Sequence, residues 1–489
     1  MDTVAGAAMQ DYPAERFRVF VLDDSKSETL EKAIDAYNKK YGKNVHYLAR
    51  TKLPNESHFY KAGNLRFGLT TTESRGKGSV FFASLDVDMI PEADWLRRVV
   101  PHLTLDEKLA LASPAQWHYN LPHPDLLGQA GPAAMEIFEP MHDNIGCSHC
   151  FGSGYIVRRS ALNDIGGWPK VPVGEDIFCS YMLAGHGWGI AFVKEFVQYG
   201  LTADSFAALV KQRMRWTDGD LLLLKGINFF VPALDPAPRR TVPQRMSAII
   251  KILRLFTAVT DCAGMILLPA IIWMISRSPE QAAMGANAAM LKAVFLATIL
   301  ADKLNYALIY AKVGRQTESR FWAAPYSTAR ILNSILPSAI ISFTATGTVI
   351  SAANERSARH RQGLVSRLLT PTMLAYFTYT VLATIAFLFV LYDSLWPRGE
   401  QRQRLHSPMC TGVVLRLLEC IFKVSVPLRY MAFPPTVPER RELMQQDSLG
   451  VFRPKCKYNK IVSRRFTWLD ILEVGTILTM DWSALVTML

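Results

Sequence analysis

The 489-residue chain divides into an α/β half and a half built of membrane helices. Three features lead to that division. Short β-branched and aromatic runs ending in acidic residues alternate with helical stretches up to about residue 240. Long apolar runs with few charges occupy residues 250 to 392. Basic residues crowd the edges of those runs and contribute to a formal net charge of +12.

The placement of that charge matters more than its size. Arg239, Arg240, Arg245, Lys251 and Arg254 cluster beside the first apolar run, which favours an anionic cytosolic leaflet over nucleic acid as the partner. The seven cysteines are scattered, and the close pair Cys147 and Cys150, with His149 between them, falls short of a four-ligand zinc site. Met1 to Asp11 carries no basic stretch followed by an apolar core, so no cleavable secretory signal is expected and the first half is expected in the cytosol.

Phe17 to Leu22 reads as a buried strand delivering Asp23 and Asp24 at its carboxyl end, the edge of an open α/β sheet where ligands bind. Ser27 to Tyr41 has helical spacing, and Asn44 to Ala49 reads as the next strand. Ser79 to Leu85 repeats the first pattern and runs into Asp86, Val87 and Asp88. The alternation predicts a largely parallel sheet covered on both faces, with acidic strand ends meeting in one cleft.

Ile252 to Ile275, Ala288 to Tyr310 and Pro371 to Tyr392 are each long enough, at about 1.5 Å per residue, to cross a bilayer. Ile331 to Ile350 is also mostly apolar, but a crossing there would place Lys312, Arg315, Arg320 and Arg330 opposite Arg356, Arg359, Arg361 and Arg367. Ile331 to Ala339 is therefore read as an interfacial helix, with residues 311 to 370 cytosolic. Three crossings would leave the basic tail after Arg398 outside, and Val413 to Phe433 leaves a fourth crossing open.

Transfer of a sugar from a nucleoside diphosphate needs a divalent cation, a base for the acceptor hydroxyl, and cations for the leaving group. Asp86 and Asp88, two apart after a strand, can present both carboxylates to Mg²⁺ or Mn²⁺, although the same spacing suits a turn or cap. Asp23 and Asp24 suit a nucleoside or a plain turn equally. Glu175 and Asp176 follow Val171, Pro172, Val173 and Gly174, which hold them ahead of a helix over Ile177 to Ala184, as a base or as an N-cap. Gln212, Arg215 and Trp216 share one face if Phe206 to Trp216 is helical, a face that also suits an ordinary surface helix.

The order of these pieces carries more than any one of them. LDDS at 22 to 25, KAGN at 61 to 64, DVD at 86 to 88, GSGYIVRRSAL at 152 to 162, GGWP at 166 to 169, ED at 175 to 176, GHGWGIAFV at 185 to 193 and QRMRW at 212 to 216 together resemble family-2 glycosyltransferases of the cellulose synthase superfamily. The resemblance covers roughly residues 1 to 392. It implies a cytosolic GT-A-type, Rossmann-like mixed-sheet domain over 1–240, transmembrane and interfacial helices over 241–395, and a basic tail of unassigned structure over 396–489.

It also implies roles. Asp24, with Asp23, would contact the uridine; Lys61 would support nucleotide binding; Asp86 and Asp88 would hold the metal and diphosphate; Asp176 would be the general base. Gln212, Arg215 and Trp216 would bind the diphosphate and the acceptor, with Arg215 near the diphosphate and Trp216 stacked on the acceptor sugar. FTATGT at 343 to 348, including Phe343 and Thr346, resembles the family's gating loop. The implied protein is a multi-pass enzyme that moves a sugar from UDP-glucose or UDP-N-acetylglucosamine to a growing β-linked glycan, or one sugar to a lipid or small acceptor. Two departures stand out. Gly174 replaces the threonine of Thr-Glu-Asp, and the family's earlier strand and amino-terminal membrane helices have no counterpart before Phe17, which keeps a truncated, non-catalytic relative as a third reading.

Overall fold

The computed structural model describes residues 1–226 apart from 53, 55–56 and 75–77, then 239–277, 320–335, 354–395 and 420–455, with isolated residues at 304–313 and 417–418. A short helix α1 (Asp2–Ala8) precedes strand β1 (Val19–Asp23). Helix α2 (Glu28–Tyr41) starts where the Leu30 N–H donates to the Ser27 hydroxyl at 3.2 Å and stops at Gly42, whose φ of 60° suits glycine. Strand β2 (Val45–Ala49) then lies parallel to β1, with Val19 opposite Val45 and Asp23 opposite Ala49.

Helix α3 (Tyr60–Ser74) leads to β3 (Phe81–Ala83) and β4 (Ile90–Pro91), which bracket the Asp-Val-Asp loop. Helix α4 (Trp95–Leu105) buries Trp95, Leu96, Val99 and Leu103, the i, i+4, i+8 stripe of an amphipathic helix. Strand β5 (Leu109–His118), helix α5 (Glu139–Asn144), strand β6 (Ile156–Arg158), helices α6 (Arg159–Asp164) and α7 (Glu175–Gly185), and strand β7 (Gly189–Gly200) complete the layer. The core forms where β5, β6 and β7 bring Ala112, Ile156, Val193 and Val197 against α4.

The sheet departs from the parallel expectation. Its five strands run β3-β6-β5-β7-β4, and within it β5–β7 is parallel while β3–β6, β5–β6 and β4–β7 are antiparallel. Counting alternating elements misses this because the long excursion after β5 turns the chain round before β6 enters between β3 and β5. Nor is the acidic pair held ahead of its helix: Glu175 and Asp176 form the first turn of α7.

Helix α8 (Phe206–Gly226) joins the sheet domain to the apolar half. Its first N–H groups lack intrahelical partners, and the Glu355 carboxylate accepts the Phe206 N–H at 2.8 Å. Beyond it lie α9 (Val242–Arg277), α10 (Arg320–Ile335), α11 (Pro371–Leu395) and α12 (Val426–Ala432). Phe206, Leu209, Met265, Trp322, Met373 and Tyr430 form one core across them, and the Tyr379 hydroxyl donates to the Met265 carbonyl at 2.9 Å.

Among the described residues, one helix, over Pro371–Tyr392, is long and apolar enough to cross a membrane. The expected span over 252–275 lies within α9, while that over 288–310 falls mostly outside the described residues. The expected interfacial helix begins earlier than read, because α10 starts at Arg320 and packs Ile331 against Leu221 and Leu255; residues 336–339 lie outside the described residues.

The tail does not trail away. Leu417 packs with Ala383 and Val390, and Cys420 lies 3.5 Å from the Tyr379 hydroxyl, so the chain runs back along α11. It then lays β8 (Met444–Gln446) and β9 (Phe452–Pro454) on the sheet domain. Met444 joins Ile90, Trp117, Tyr119 and Tyr199 in a core, and Arg440 pairs with Asp2 at 2.7 Å.

Candidate active site

The site is assembled from loops at the edge of the mixed sheet. The Asp-Val-Asp loop is fixed from both sides: the Asp86 N–H donates to the Ser153 hydroxyl at 3.0 Å, and the Thr3 hydroxyl donates to the Val87 carbonyl at 2.7 Å. From the first turn of α3, the Lys61 ammonium reaches Asp86 at 2.5 Å, the Gly152 carbonyl at 2.6 Å and Glu175 at 3.7 Å. One lysine thus ties together motifs separated by 25 and 114 residues.

Two glycines are required by close approach. Gly152 has a φ of 85°, and a Cβ there would stand 2.8 Å from Asp176 Oδ2. Gly174 has a φ of 69°, and a Cβ there would stand 3.1 Å from the Gly219 Cα on α8. That second contact lets the Glu-Asp turn lie directly against the Gln-x-x-Arg-Trp helix. It gives a local reason for glycine where the resembled family has threonine, since a β-branched residue is strained at positive φ.

The electrostatics are those of a crowded anionic cleft. Burial, then the Asp86 charge, pushes the Asp88 carboxyl up to about 6, with Lys61 and Arg215 pulling the other way. Burial and the neighbouring Asp176 push Glu175 up to about 7 against the pull of Lys61. Asp176 is raised too, chiefly by burial, although Lys61 and the Ile177 N–H, at 2.8 Å from Oδ1, favour its charged form. Burial alone would lower the Lys61 pKa, but Asp86, Glu175 and Asp176 raise it.

The other acidic pair behaves differently. Both Asp23 oxygens are taken: Oδ1 accepts from the Ser25 N–H and hydroxyl at 2.8 and 2.6 Å, Oδ2 from the Ser27 N–H and Tyr47 hydroxyl at 2.7 and 2.8 Å. Burial opposes the shift, yet these bonds take the Asp23 carboxyl down to about 2. Asp24 forms a two-pronged pair with Arg50 at 2.6 and 2.8 Å, and Arg50 also donates to the Tyr60 carbonyl, next to Lys61, at 3.0 Å.

Gln212, Arg215 and Trp216 lie on α8 at the spacing that places them on one face. The charge of Arg215 reaches Asp88, the Trp216 indole is half exposed, and the Arg213 guanidinium sits 4.5 Å over the indole ring. Lys61 thus joins Asp86, Gly152 and Glu175, with Asp176 beside Gly152 and the charge of Arg215 felt at Asp88, while Asp23 faces its own turn. Arg50 and the link from Lys61 to Glu175 carry no motif of their own in the sequence; a basic residue after β2 is the available signal for the first. Phe343 and Thr346 fall outside the described residues.

Residues 1–219 match the family model described as Glycosyltransferase like family 2, and residues 138–313 match that of Glycosyl transferase family 21. The chain carries a family-2 glycosyltransferase domain. The domain is similar to cellulose synthase 2 of Novacetimonas hansenii, with 29% identity over 230 residues, which is 46% of this chain and 14% of that protein. It is also similar to glucomannan 4-beta-mannosyltransferase 9 of Arabidopsis thaliana, with 28% identity over 235 residues, 46% of this chain and 43% of that protein. The chain thus spans less than half the length of these relatives. Among solved structures, the mannosyltransferase PcManGT of Pyrobaculum calidifontis in complex with GDP-Man and Mn²⁺ aligns with a TM-score of 0.44 and 16% identity, covering 69% of this chain and 83% of that one. The glycosyltransferase domain has a GT-A-like fold, a mixed sheet with helices, as the resemblance implied.

Proposed function

We propose that the chain is a membrane-bound inverting glycosyltransferase that moves a sugar from a UDP-sugar onto a hydroxyl of a growing β-linked polysaccharide. The observation that carries this reading is the gathering of Asp86 and Glu175 on Lys61, with Asp176 and Asp88 within reach of its charge and the charge of Arg215 felt at Asp88. Four carboxylates against so few cations make a cleft suited to a polyanion accompanied by its own metal.

Asp176 is the base of this proposal: its Oδ1 accepts from the Ile177 N–H and its Oδ2 lies beside Gly152, whereas Glu175 pairs with Lys61. Asp176 takes the acceptor hydroxyl proton, the hydroxyl oxygen bonds to the anomeric carbon, and the bond from that carbon to the diphosphate breaks. A single displacement of this kind inverts the centre. Arg215 and Lys61 offset the charge that develops on the departing UDP. Asp86 and Asp88 offer carboxylate oxygens two residues apart that would hold a hard divalent cation, Mg²⁺ or Mn²⁺. Such an ion would offset the burial and the Asp86 charge that push Asp88 up to about 6 and would supply charge to the leaving diphosphate. Trp216, braced by Arg213, offers an aromatic face to the acceptor sugar, with Gln212 beside it, and Arg50 holds Asp24 at the nucleoside end.

A multi-pass topology with a cytosolic domain is part of the proposal. Its supports are the exposed Phe377, Leu382, Leu388 and Phe389 on α11 and the basic residues at the domain end of α9. The return of the chain along α11 to Met444 on the domain favours a fourth crossing after residue 395 over a tail left outside. Membranes holding the full chain, given radiolabelled UDP-glucose or UDP-N-acetylglucosamine with Mn²⁺, are expected to form labelled polymer. Labelled monosaccharide adducts alone would replace polymer synthesis by single-sugar transfer, and no label transfer from either donor would overturn the proposed donor.

A further inference from the structure

A second group of ligand-bearing side chains lies outside the acidic cleft, where α5 meets the loop over 145–150. Glu139 opens α5, His142 follows one turn later, and His149 comes in from the loop. Glu139 Oε2 lies 3.4 Å from His142 Nδ1 and 3.6 Å from His149 Nδ1, and the three ligand atoms all fall within 4.8 Å of one another. Charge-assisted N–H···O bonds prefer about 2.7–2.9 Å, so both contacts are long for hydrogen bonds. Ligand atoms held about 2.0–2.1 Å from a tetrahedral ion, by contrast, stand roughly 3.3 Å apart.

The donor set is selective. Two imidazole nitrogens and one carboxylate suit zinc and its transition-metal neighbours, whereas the all-oxygen pair Asp86 and Asp88 suits Mg²⁺ or Mn²⁺. The Glu139 side chain is 8% exposed, so its carboxylate is largely removed from water. Lys251, which also acts on Glu139, is engaged by Asp220 at 3.4 Å. His149 is oriented by the Phe151 ring at 4.9 Å, which packs in turn on Phe192 at 5.6 Å.

We propose that Glu139, His142 and His149 bind one zinc-type divalent ion at a site distinct from the nucleotide cleft, with a fourth position left for water. The ion would brace the loop that reaches the cleft. Three residues after His149, the Gly152 carbonyl holds Lys61, and the Cys150 N–H donates to Ser180 on α7 at 2.9 Å. At the other end of the loop, Gln244 of α9 donates to the Gly146 carbonyl at 2.9 Å.

The test uses the full chain, purified in detergent without a polyhistidine tag, stripped of metal, and titrated with Zn²⁺ against a chromophoric chelator in excess Mg²⁺. One equivalent should bind, with a zinc-dependent rise in Tm. His142→Gln and His149→Gln should each weaken binding on the order of a hundredfold and abolish that rise, while the Asp86→Asn, Asp88→Asn double variant should bind zinc as the parent does. His142 lies at the less buried edge of the cluster, so its variant keeps the test available if the His149 variant fails to fold. Absence of stoichiometric zinc uptake, uptake unchanged in His142→Gln, or uptake lost in the double aspartate variant would each overturn the proposal.

Discussion

The turn holding Asp23 and Asp24 and the turn holding Glu175 and Asp176 are both acidic pairs next to the end of an element, yet the first is saturated and the second is crowded. Asp23 accepts four hydrogen bonds and Asp24 is forked by Arg50. Glu175 and Asp176 are half-buried beside each other and near Asp86, with Lys61 shared among them. Charges that a scaffold uses are satisfied by it. Charges that await a polyanion and its metal are held against their preference, at a cost to stability.

The largest effect expected from that contrast is on turnover. Asp88→Asn should lower kcat/KM for UDP release about a thousandfold while leaving Tm unchanged or higher, because it relieves like-charge crowding. Asp23→Asn should do the reverse, keeping activity and lowering Tm. Paired UDP-release assays and thermal melts on both variants would break the comparison if the two turned out alike.

pH sharpens it. Glu175 is raised from its ordinary value to about 7, so the folded chain binds more protons there than the unfolded one, and this group's contribution to stability falls as pH rises towards 7. Asp23 is lowered to about 2, so its contribution is present above the ordinary carboxylate range and is lost as pH falls towards 2. Melts of Glu175→Gln against the parent should therefore show a gain that grows from pH 5 to pH 8, whereas Asp23→Asn should show a loss that fades on acidification. Activity should decline on acidification, because burial raises the Asp176 carboxyl and the base must be unprotonated to act.

A smaller effect is expected at Arg50→Ala. It leaves Asp24 half-buried without its fork and should lower stability by about 1–3 kcal/mol, with a raised KM for the donor and little change in kcat. A kcat loss without a KM change would move Asp24 out of the nucleoside end.

Much of this was legible from residues alone. Strand β1, helix α2 and strand β2 fall within about two residues of their sequence positions because periodicity, a serine cap and a glycine stop all agree. The order of their motifs marks Lys61, Asp86, Asp88, Asp176 and Arg215 as candidates, and Lys61 lies against Asp86 in the fold. Sheet direction was not legible, since the return of the chain between β5 and β6 leaves no local periodic trace. Nor was the docking of Met444 and Arg440 on the catalytic domain, because a short hairpin in a basic stretch looks the same whether it is packed or solvated. Glu139 and His149 meet only through the bend over 145–148, so their nearness is a property of the fold.

The most direct measurement is metal-dependent UDP release by the purified full chain at pH 7.5, with UDP-glucose and UDP-N-acetylglucosamine as donors, compared between the parent and Asp176→Asn. The expected result is release by the parent that requires Mg²⁺ or Mn²⁺ and falls by about 10²–10⁴-fold in the variant, with Tm preserved. Equal release by the two proteins, or release indifferent to the cation, would contradict the assignment of this cleft.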